Sequence, residues 1–289
     1  MKIVKKIEEV RDVISMAKNE KKRIGFIPTM GYLHRGHLSL VEISKKNSDF
    51  QVMSIFVNKI QFNDSSDFDD YPKDLQKDFQ LAEEAGVDLI FVPDDKEIFR
   101  DHLTYVEVEG LTNNLCGGTR QGHFRGVFTI VTKLFNIISP DVAVFGQKDV
   151  QQAISIEKMV FDLNSNVRII VAPIIREKDG LAMSSRNKHL NKEERKNALS
   201  IFKTLKRAED LIKSGMLSSK DIIVQMKYII EKVKPQGIDY ISVVDYKTLQ
   251  SVEKISDKSV IAIAVFFGTT RLIDNMIVEI VEEGYRCFY

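Results

Sequence analysis

RIGFIPTMGYLHRGHLSL, residues Arg23 to Leu40, is the stretch that decides the fold. Arg23–Thr29 is a short apolar run, broken at Pro28 and followed by Gly31, and it reads as a buried strand that ends in a tight turn. From Leu38 to Lys46 the apolar residues recur at helical spacing. A strand, a glycine turn and a helix entry, in that order, bring backbone N–H groups and the positive end of a helix to one point where an anion can sit. His34 and His37 flank Gly36 and add two imidazoles aimed at the same point. The plain alternative is a loop with two solvated histidines. A zinc site is poorly supported, because neither histidine has a further Cys, His or carboxylate at ligand spacing. H-x-G-H after a buried strand favours a nucleotide phosphate as the anion.

Working outward, Gln51–Val57, Asp88–Pro93, Asp141–Gly146 and Val167–Ile175 are further short runs, β-branched or aromatic and bounded by Gly, Pro or Asp. Helical patterns at Leu75–Ala85, Val127–Ile138 and Val150–Asp162 alternate with them. This alternation predicts βαβ units with right-handed crossovers, a Rossmann-like, doubly wound parallel α/β sheet. Such sheets bind ligands at the carboxyl ends of their strands. Beyond Arg176 the order changes. Helical patterns at Lys192–Lys213 and Lys220–Lys232 precede strand-like runs at Ile238–Tyr246, Ser259–Phe267 and Asn275–Val281. We therefore expect two domains, an α/β domain over 1–175 and a smaller α+β domain over 176–289 that covers the site as a lid. REKDGLAMSSRN, Arg176 to Asn187, is too rich in Gly, Ser and charge for an element interior and reads as a loop between them.

The chain has 289 residues, with 42 Lys+Arg against 41 Asp+Glu and a net charge of +1. At about 100–200 residues per domain, that length suits one large domain or two ordinary ones. The charge balance argues against a general nucleic-acid binder, whose phosphate affinity comes from an excess of cations. Cys116 and Cys287 are too few for a disulfide framework. The start, MKIVKKIEEVRDVI, carries charges in every turn and no signal-peptide apolar region, and the longest apolar run, Val260–Phe267, is far short of a membrane span. The expectation is a cytoplasmic protein that needs neither membrane nor nucleic acid.

His34-Arg35-Gly36-His37 resembles the HIGH-type signature of nucleotidyltransferases and class I aminoacyl-tRNA synthetases. The wider string PTMGxLHxGH resembles the pantoate–β-alanine ligase (pantothenate synthetase) family, and further segments agree in order: FVNKIQF (Phe56–Phe62), YPKD (Tyr71–Asp74), GHFRGV (Gly122–Val127), GQKDVQQ (Gly146–Gln152), DGLAMSSRN (Asp179–Asn187), DYISVVD and FFGTTRLIDN. The resemblance covers essentially the whole chain. It implies a reaction in which pantoate and β-alanine are joined at the expense of ATP, through a pantoyl-adenylate, with AMP and pyrophosphate released.

The residues can be read against that chemistry. Pantoate's carboxylate, with a reference pKa near ~4, is already ionised and needs no base to attack the α-phosphorus. The step needs charge neutralisation and in-line positioning. His34, His37, Lys148, Ser184, Ser185 and Arg186 are donors or cations of the right kind. Lys148 follows the strand Asp141–Gly146 directly and would otherwise be a surface lysine at a helix start. MSSRN suits a triphosphate clamp, and equally an N-terminal capping segment, since Asn191 and the serines precede a helical pattern. By resemblance, His37, Lys148 and Arg186 are catalytic, and Met30, His34, Gly36, Gly146, Asp149, Ile175, Met183, Ser184 and Ser185 complete the ATP set. Gln61 and Gln152 hold pantoate, with Asn58 and Tyr71 near the same pocket. Asp78 matches an acidic position associated with the metal; on sequence alone it is one charge on the polar face of the Leu75–Ala85 helix. Mg2+ is expected with ATP, and a homodimer through the N-terminal domain.

The second step asks the β-alanine ammonium, pKa near ~10, to lose a proton. No residue is assigned to this, and solvent or the departing phosphate serves as well. His123 is read as structuring its loop with Arg125, and His102 and His189 as surface residues. The chain departs from the family pattern at Tyr32 and Arg35 in the histidine motif, at Lys59 where Pro is usual and at Gln147 where Glu is usual. Another adenylyltransferase on the same fold would explain H-x-G-H but leave Gln61, Gln152 and the C-terminal region without a role. A tRNA synthetase lacks support from the charge. A non-catalytic nucleotide sensor would not need Lys148, both histidines and MSSR together.

Overall fold

The strands that the apolar runs predict all form, and all but the last of them within three residues of the expected ends. A computed structural model of the chain describes residues 1–63, 68–282 and 284–289. Its first sheet has six strands, β1 (Lys2–Val4), β2 (Ile24–Thr29), β3 (Phe50–Ile55), β4 (Leu89–Phe91), β5 (Val142–Gly146) and β6 (Arg168–Ala172), all parallel, in the order β1-β4-β3-β2-β5-β6. The chain winds outward in one direction from β2 through β3 and β4, and in the other through β5 and β6. The switch point is therefore the β2–β5 pair, where open α/β sheets receive ligands. β1 escaped the sequence reading because three residues are too few to display a period.

Helices α1 (Ile7–Asn19), α2 (Arg35–Lys45), α3 (Leu75–Ala85), α4 (His123–Ile138) and α5 (Val150–Asp162) accompany this sheet. In α1, Val10, Ile14 and Ala17 are buried while the charges that fill each turn form the solvent face. α2 and α4 begin before their apolar patterns do, at Arg35 and His123: the first turn of α2 is polar behind its histidine cap, and that of α4 alternates His123 and Arg125 with buried Phe124 and Gly126. Ile27, Val41, Met53, Ile90 and Val144 are fully buried and form the centre of one core.

The second sheet is antiparallel, in the order β10-β9-β8-β7, from β7 (Gly237–Asp245), β8 (Lys258–Phe267), β9 (Thr270–Val281) and β10 (Gly284–Phe288). β9 begins five residues before the expected Asn275, because Phe267 pairs with Thr270 across a two-residue turn. Helices α6 (Lys192–Lys213) and α7 (Ser219–Glu231) supply the second core, in which Ile201, Leu205, Ile222 and Met226 meet Ile261, Ile263 and Met276. Two compact units result. One contains Met1–Thr112, Cys116–Gly146 and Ser155–Ala172, and the other Asn113–Leu115, Gln147–Ile154 and Pro173–Tyr289. The Lys148 turn thus clusters with the C-terminal residues, so the units do not part by a single cut near residue 175.

α6 carries a carboxylate that should set the acid stability of the second unit. Glu209 accepts from Lys206 Nζ at 2.9 Å, Lys213 Nζ at 2.8 Å and the Tyr289 hydroxyl at 2.6 Å. Burial pushes its carboxyl up, but Lys213, Tyr289 and Lys206 outweigh burial and hold it down at about 2, from an ordinary 4.5. A depressed carboxyl contributes stability that is complete above the ordinary value and is lost as pH falls through the folded one. Glu209→Gln should therefore cost about 1–3 kcal/mol at neutral pH, and the deficit should shrink as pH falls from about 4.5 towards 2. Denaturant titrations over that range measure it; a deficit independent of pH would refute the assignment.

Candidate active site

The peptide between β2 and α2 is built around left-handed backbone. Gly31 has φ of 85° and Tyr32 φ of 54°. A side chain at 31 would meet Asp78 Oδ2 at 2.9 Å, so the turn needs glycine there for space as well as for conformation. Tyr32 lacks that freedom, and a left-handed non-glycine residue costs roughly 1–2 kcal/mol. Asp78 offsets the cost. Its Oδ2 accepts the Tyr32 N–H at 2.9 Å and its Oδ1 the Leu33 N–H at 2.7 Å. Asp78 is 1% exposed, so it does not sit on the polar face of α3 as its sequence position implied.

His34 is the N-cap of α2. Its Nδ1 accepts the Gly36 N–H at 3.1 Å, and His37 Nδ1 accepts the His34 N–H at 3.3 Å. A ring nitrogen that accepts an N–H carries no proton, so in each neutral ring the proton sits on Nε2. The capping bonds make both Nε2 atoms donors, on rings whose centroids are 4.1 Å apart. This is why the two histidines stand three residues apart: they form a capping box in imidazole. Arg35 between them is exposed, so its departure from the family pattern leaves the capping geometry intact.

After β3, the Lys59–Gln61 turn is a single 3₁₀ turn with Asn58 at its N-cap position. Lys59 occupies the first turn position, where a proline would preset φ and a lysine does not, and the turn forms with lysine there. Asn58, 1% exposed, donates from Nδ2 to Gln61 Oε1 at 2.9 Å and to the Gly126 carbonyl at 3.1 Å. Gln61 Nε2 reaches Met30 Sδ at 2.9 Å, which joins this turn to the end of β2. His123 Nδ1 lies 2.7 Å from the Gln61 carbonyl oxygen. So His123 structures the turn that carries Gln61, whereas Arg125 stacks on Tyr105 with its guanidinium 3.8 Å from the ring centroid. Tyr71 belongs to an aromatic group with Phe62, centroids 6.0 Å apart, next to Gln61 in the chain. His102 is half-buried against Phe99 and Tyr105, contrary to a surface reading, and His189 is exposed.

The second unit takes up the chain just after β5, where Gln147–Asp149 form another 3₁₀ turn. Lys148 is partly buried, with Asp149 Oδ1 4.0 Å from its Nζ. Gln151 is buried and donates to the Asn114 carbonyl at 2.8 Å, whereas Gln152 on α5 is only half-buried. The Met183 N–H donates to the Ile175 carbonyl at 2.9 Å, closing the base of the loop that carries MSSRN. Ser184 caps the short helix Ser185–His189 through the Arg186 N–H at 3.3 Å, and Asn191 caps α6. The capping reading of this segment therefore holds alongside any functional one. Lys148, Ser184 and Asn187 line one narrow pocket with Asp274.

Sequence reasoning missed the partner of His123, the place of Asn275 and the turn-holding role of Asp78. The bonds that define them join residues 62, 127 and 45 or more positions apart, which no local pattern encodes. The family model for pantoate-beta-alanine ligase matches residues 2–277. The pantothenate synthetase of Acetivibrio thermocellus is 54% identical over 284 residues, covering 97% of this chain and 100% of that protein. That of Thermoanaerobacter sp. is 53% identical, covering 96% and 98%. Among solved structures, pantothenate synthetase from Thermus thermophilus superposes with a TM-score of 0.90 at 39% identity, covering 95% of this chain and 98% of that one. The pantoate-beta-alanine ligase of Francisella tularensis, complexed with beta-gamma ATP and beta-alanine, gives 0.78 at 34% identity, covering 95% and 97%. Matched along both its units in sequence and in fold, the chain belongs to the pantoate–β-alanine ligase family.

Proposed function

We propose that this chain condenses pantoate with β-alanine at the expense of ATP, through a pantoyl-adenylate, and releases AMP and pyrophosphate. Family membership supports the reaction as a whole, and the observation that carries it at the level of residues is the His34–His37 capping box. It orients two imidazole N–H donors at the carboxyl end of β2, beside the switch point of the sheet.

In the first step the ionised carboxylate of pantoate attacks the α-phosphorus and pyrophosphate leaves. The oxygens of the transferring phosphate gain charge, and donors fixed in advance stabilise that charge. His37, Lys148 and Arg186 take this role. Met30, His34, Gly36, Gly146, Asp149, Ile175, Met183, Ser184 and Ser185 bind the rest of ATP. Gln61, Gln152, Asn58 and Tyr71 hold pantoate, whose hydroxyls need neutral groups that both donate and accept. The cross-link from Asn58 to Gln61 supports this by holding two such amides in one orientation. No thiol or hydroxyl nucleophile is required, because pantoate attacks directly. The β-alanine amine then attacks the acyl carbon, and AMP departs.

Mg2+ would neutralise and orient the triphosphate. The donor set does not fit a metal held by the protein: among the described residues no three His, Cys, Asp or Glu converge, and both oxygens of Asp78 already accept backbone amides. Asp78 is therefore proposed as the anchor of the Gly31–Leu33 turn, and Mg2+ as arriving on ATP. We also propose that 176–289 acts as a lid over 1–175, and that the chain works as a cytoplasmic homodimer through its N-terminal region. Among the described residues no helix is long and apolar enough to cross a membrane. A single-chain mass in light scattering would overturn the dimer.

The decisive experiment is exchange of labelled pyrophosphate into ATP with pantoate present and β-alanine absent. Exchange that depends on pantoate is expected; folded protein that gives none would refute the adenylate route.

A further inference from the structure

The turn that carries Lys148 is held from behind by an amide far from it in the chain. Asn275, on β9, is 1% exposed. Its Nδ2 donates to the Gln147 carbonyl at 2.9 Å and to the Lys148 carbonyl at 3.1 Å. Its Oδ1 accepts from Gln147 Nε2 at 3.2 Å, and that same nitrogen donates to the Phe288 carbonyl at 2.9 Å. One side chain thus engages both successive carbonyls of the turn and the side chain of its first residue. A peptide held at two adjacent carbonyls cannot rotate without breaking these hydrogen bonds and leaving polar groups unpaired away from water.

Asp274, the preceding residue, extends the same network to the second phosphate-binding segment. It accepts from Arg176 Nη1 at 2.6 Å and Nη2 at 3.0 Å, and from the Asn275 N–H at 2.8 Å. Arg176 also donates to the Gly180 carbonyl at 3.1 Å and stacks on Phe202, 4.1 Å from its centroid, so the start of the loop leading to MSSRN is fixed as well. Bidentate pairing of this kind sets geometry as well as energy.

We propose that Asn275 is a positioning residue for adenylation, setting the direction of Lys148 through the two carbonyls of its turn, with Asp274 and Arg176 holding the MSSRN loop in register with it. The proposal rests on the phosphate role given to Lys148. It also accounts for Gln147: the amide of Gln147 donates to two carbonyl-type oxygens at once, which a glutamate at this position would not do in its ionised form.

Asn275→Asp tests it with almost no change of shape, since the carboxylate cannot donate and would face two carbonyl oxygens. In pantoate-dependent pyrophosphate exchange, kcat should fall ~10²-fold while KM for pantoate stays within about twofold. In the Lys148→Ala background, measured by single turnover, the same substitution should cost less than about threefold more, because its effect runs through Lys148. A second readout needs no turnover: ATP should protect Lys148 from acetylation, read by mass spectrometry, in the wild-type chain and not in Asn275→Asp. Wild-type kcat in the variant, a loss that multiplies fully in the Lys148→Ala background, or protection that survives the substitution would each overturn the proposal. Should Asn275→Asp fail to fold, Asn275→Ser, whose hydroxyl carries one proton and cannot donate to both carbonyls, is held to the same three outcomes. A wild-type chain that protects Lys148 with ATP yet shows no pantoate-dependent exchange would refute the ligase reading and leave protection in the variant to decide this one.

Discussion

Lys148→Ala is expected to lose pyrophosphate exchange by about 10²–10³-fold or more while its melting temperature stays near that of the parent chain. The two halves of this expectation have separate causes. Stability should hold because the lysine's ion pair with exposed Asp149 is 4.0 Å long and solvated, the kind of pair that contributes little. Nor does its removal strip the buried Asp274 of its partner, since Arg176 keeps both of its contacts. Activity should fall because, in the role proposed for it, the ammonium at the end of β5 faces the developing phosphate charge, and an alanine leaves that charge without it. Lys148→Arg, with the charge kept but the planar fork in place of a point charge, should recover only part of the rate. Turnover of Lys148→Ala at the parental rate would remove the phosphate role of this residue.

The second large effect is expected at a glycine that has no chemistry at all. Gly126 lies in the first turn of α4, and alanine in a helix interior usually stabilises by up to ~1 kcal/mol relative to glycine. Here the sign should reverse. A Cβ at 126 would fall 2.4 Å from the Ile60 carbonyl oxygen and 2.7 Å from both Cα and N of Gln61, all backbone atoms that cannot swing aside. Carbon contacts settle near ~3.5–4.0 Å, so the helix and the Lys59–Gln61 turn must part by on the order of 1 Å. That movement breaks the Asn58 bond to the Gly126 carbonyl and displaces Gln61 together with its tie to Met30. Gly126→Ala should therefore cost about 1–3 kcal/mol by overpacking and lower kcat/KM for pantoate ~10²-fold, with KM for ATP little changed. Thermal melts and exchange kinetics at varied pantoate measure both. An unchanged KM for pantoate would separate Gln61 and Asn58 from that substrate.

These two residues also mark what could be read from the chain. Lys148 is legible, because a lysine just after a short apolar run ending in glycine is where a parallel sheet presents its ligand side. Gly126 is not, since its need for glycine comes from a turn 65 positions away. The same division runs through the whole molecule. His34 and His37 announce themselves by spacing, but their Nδ1-capped tautomers follow only from the hydrogen bonds of α2. Asp78 reads as a surface charge on an amphipathic helix, and becomes the anchor of a strained turn because α3 packs that face inward.

By itself the sequence determined the element types and the α/β sheet, since periodicities of two and 3.6 residues are local properties of the chain, and it put His34, His37 and Lys148 just beyond strand ends. The tertiary structure alone decided which buried amides and carboxylates tie the backbone around them. Asn275 meets Lys148 across 127 positions and Asp274 meets Arg176 across 98, and such pairs exist only once β9 is paired into its sheet and desolvation makes each lost hydrogen bond costly.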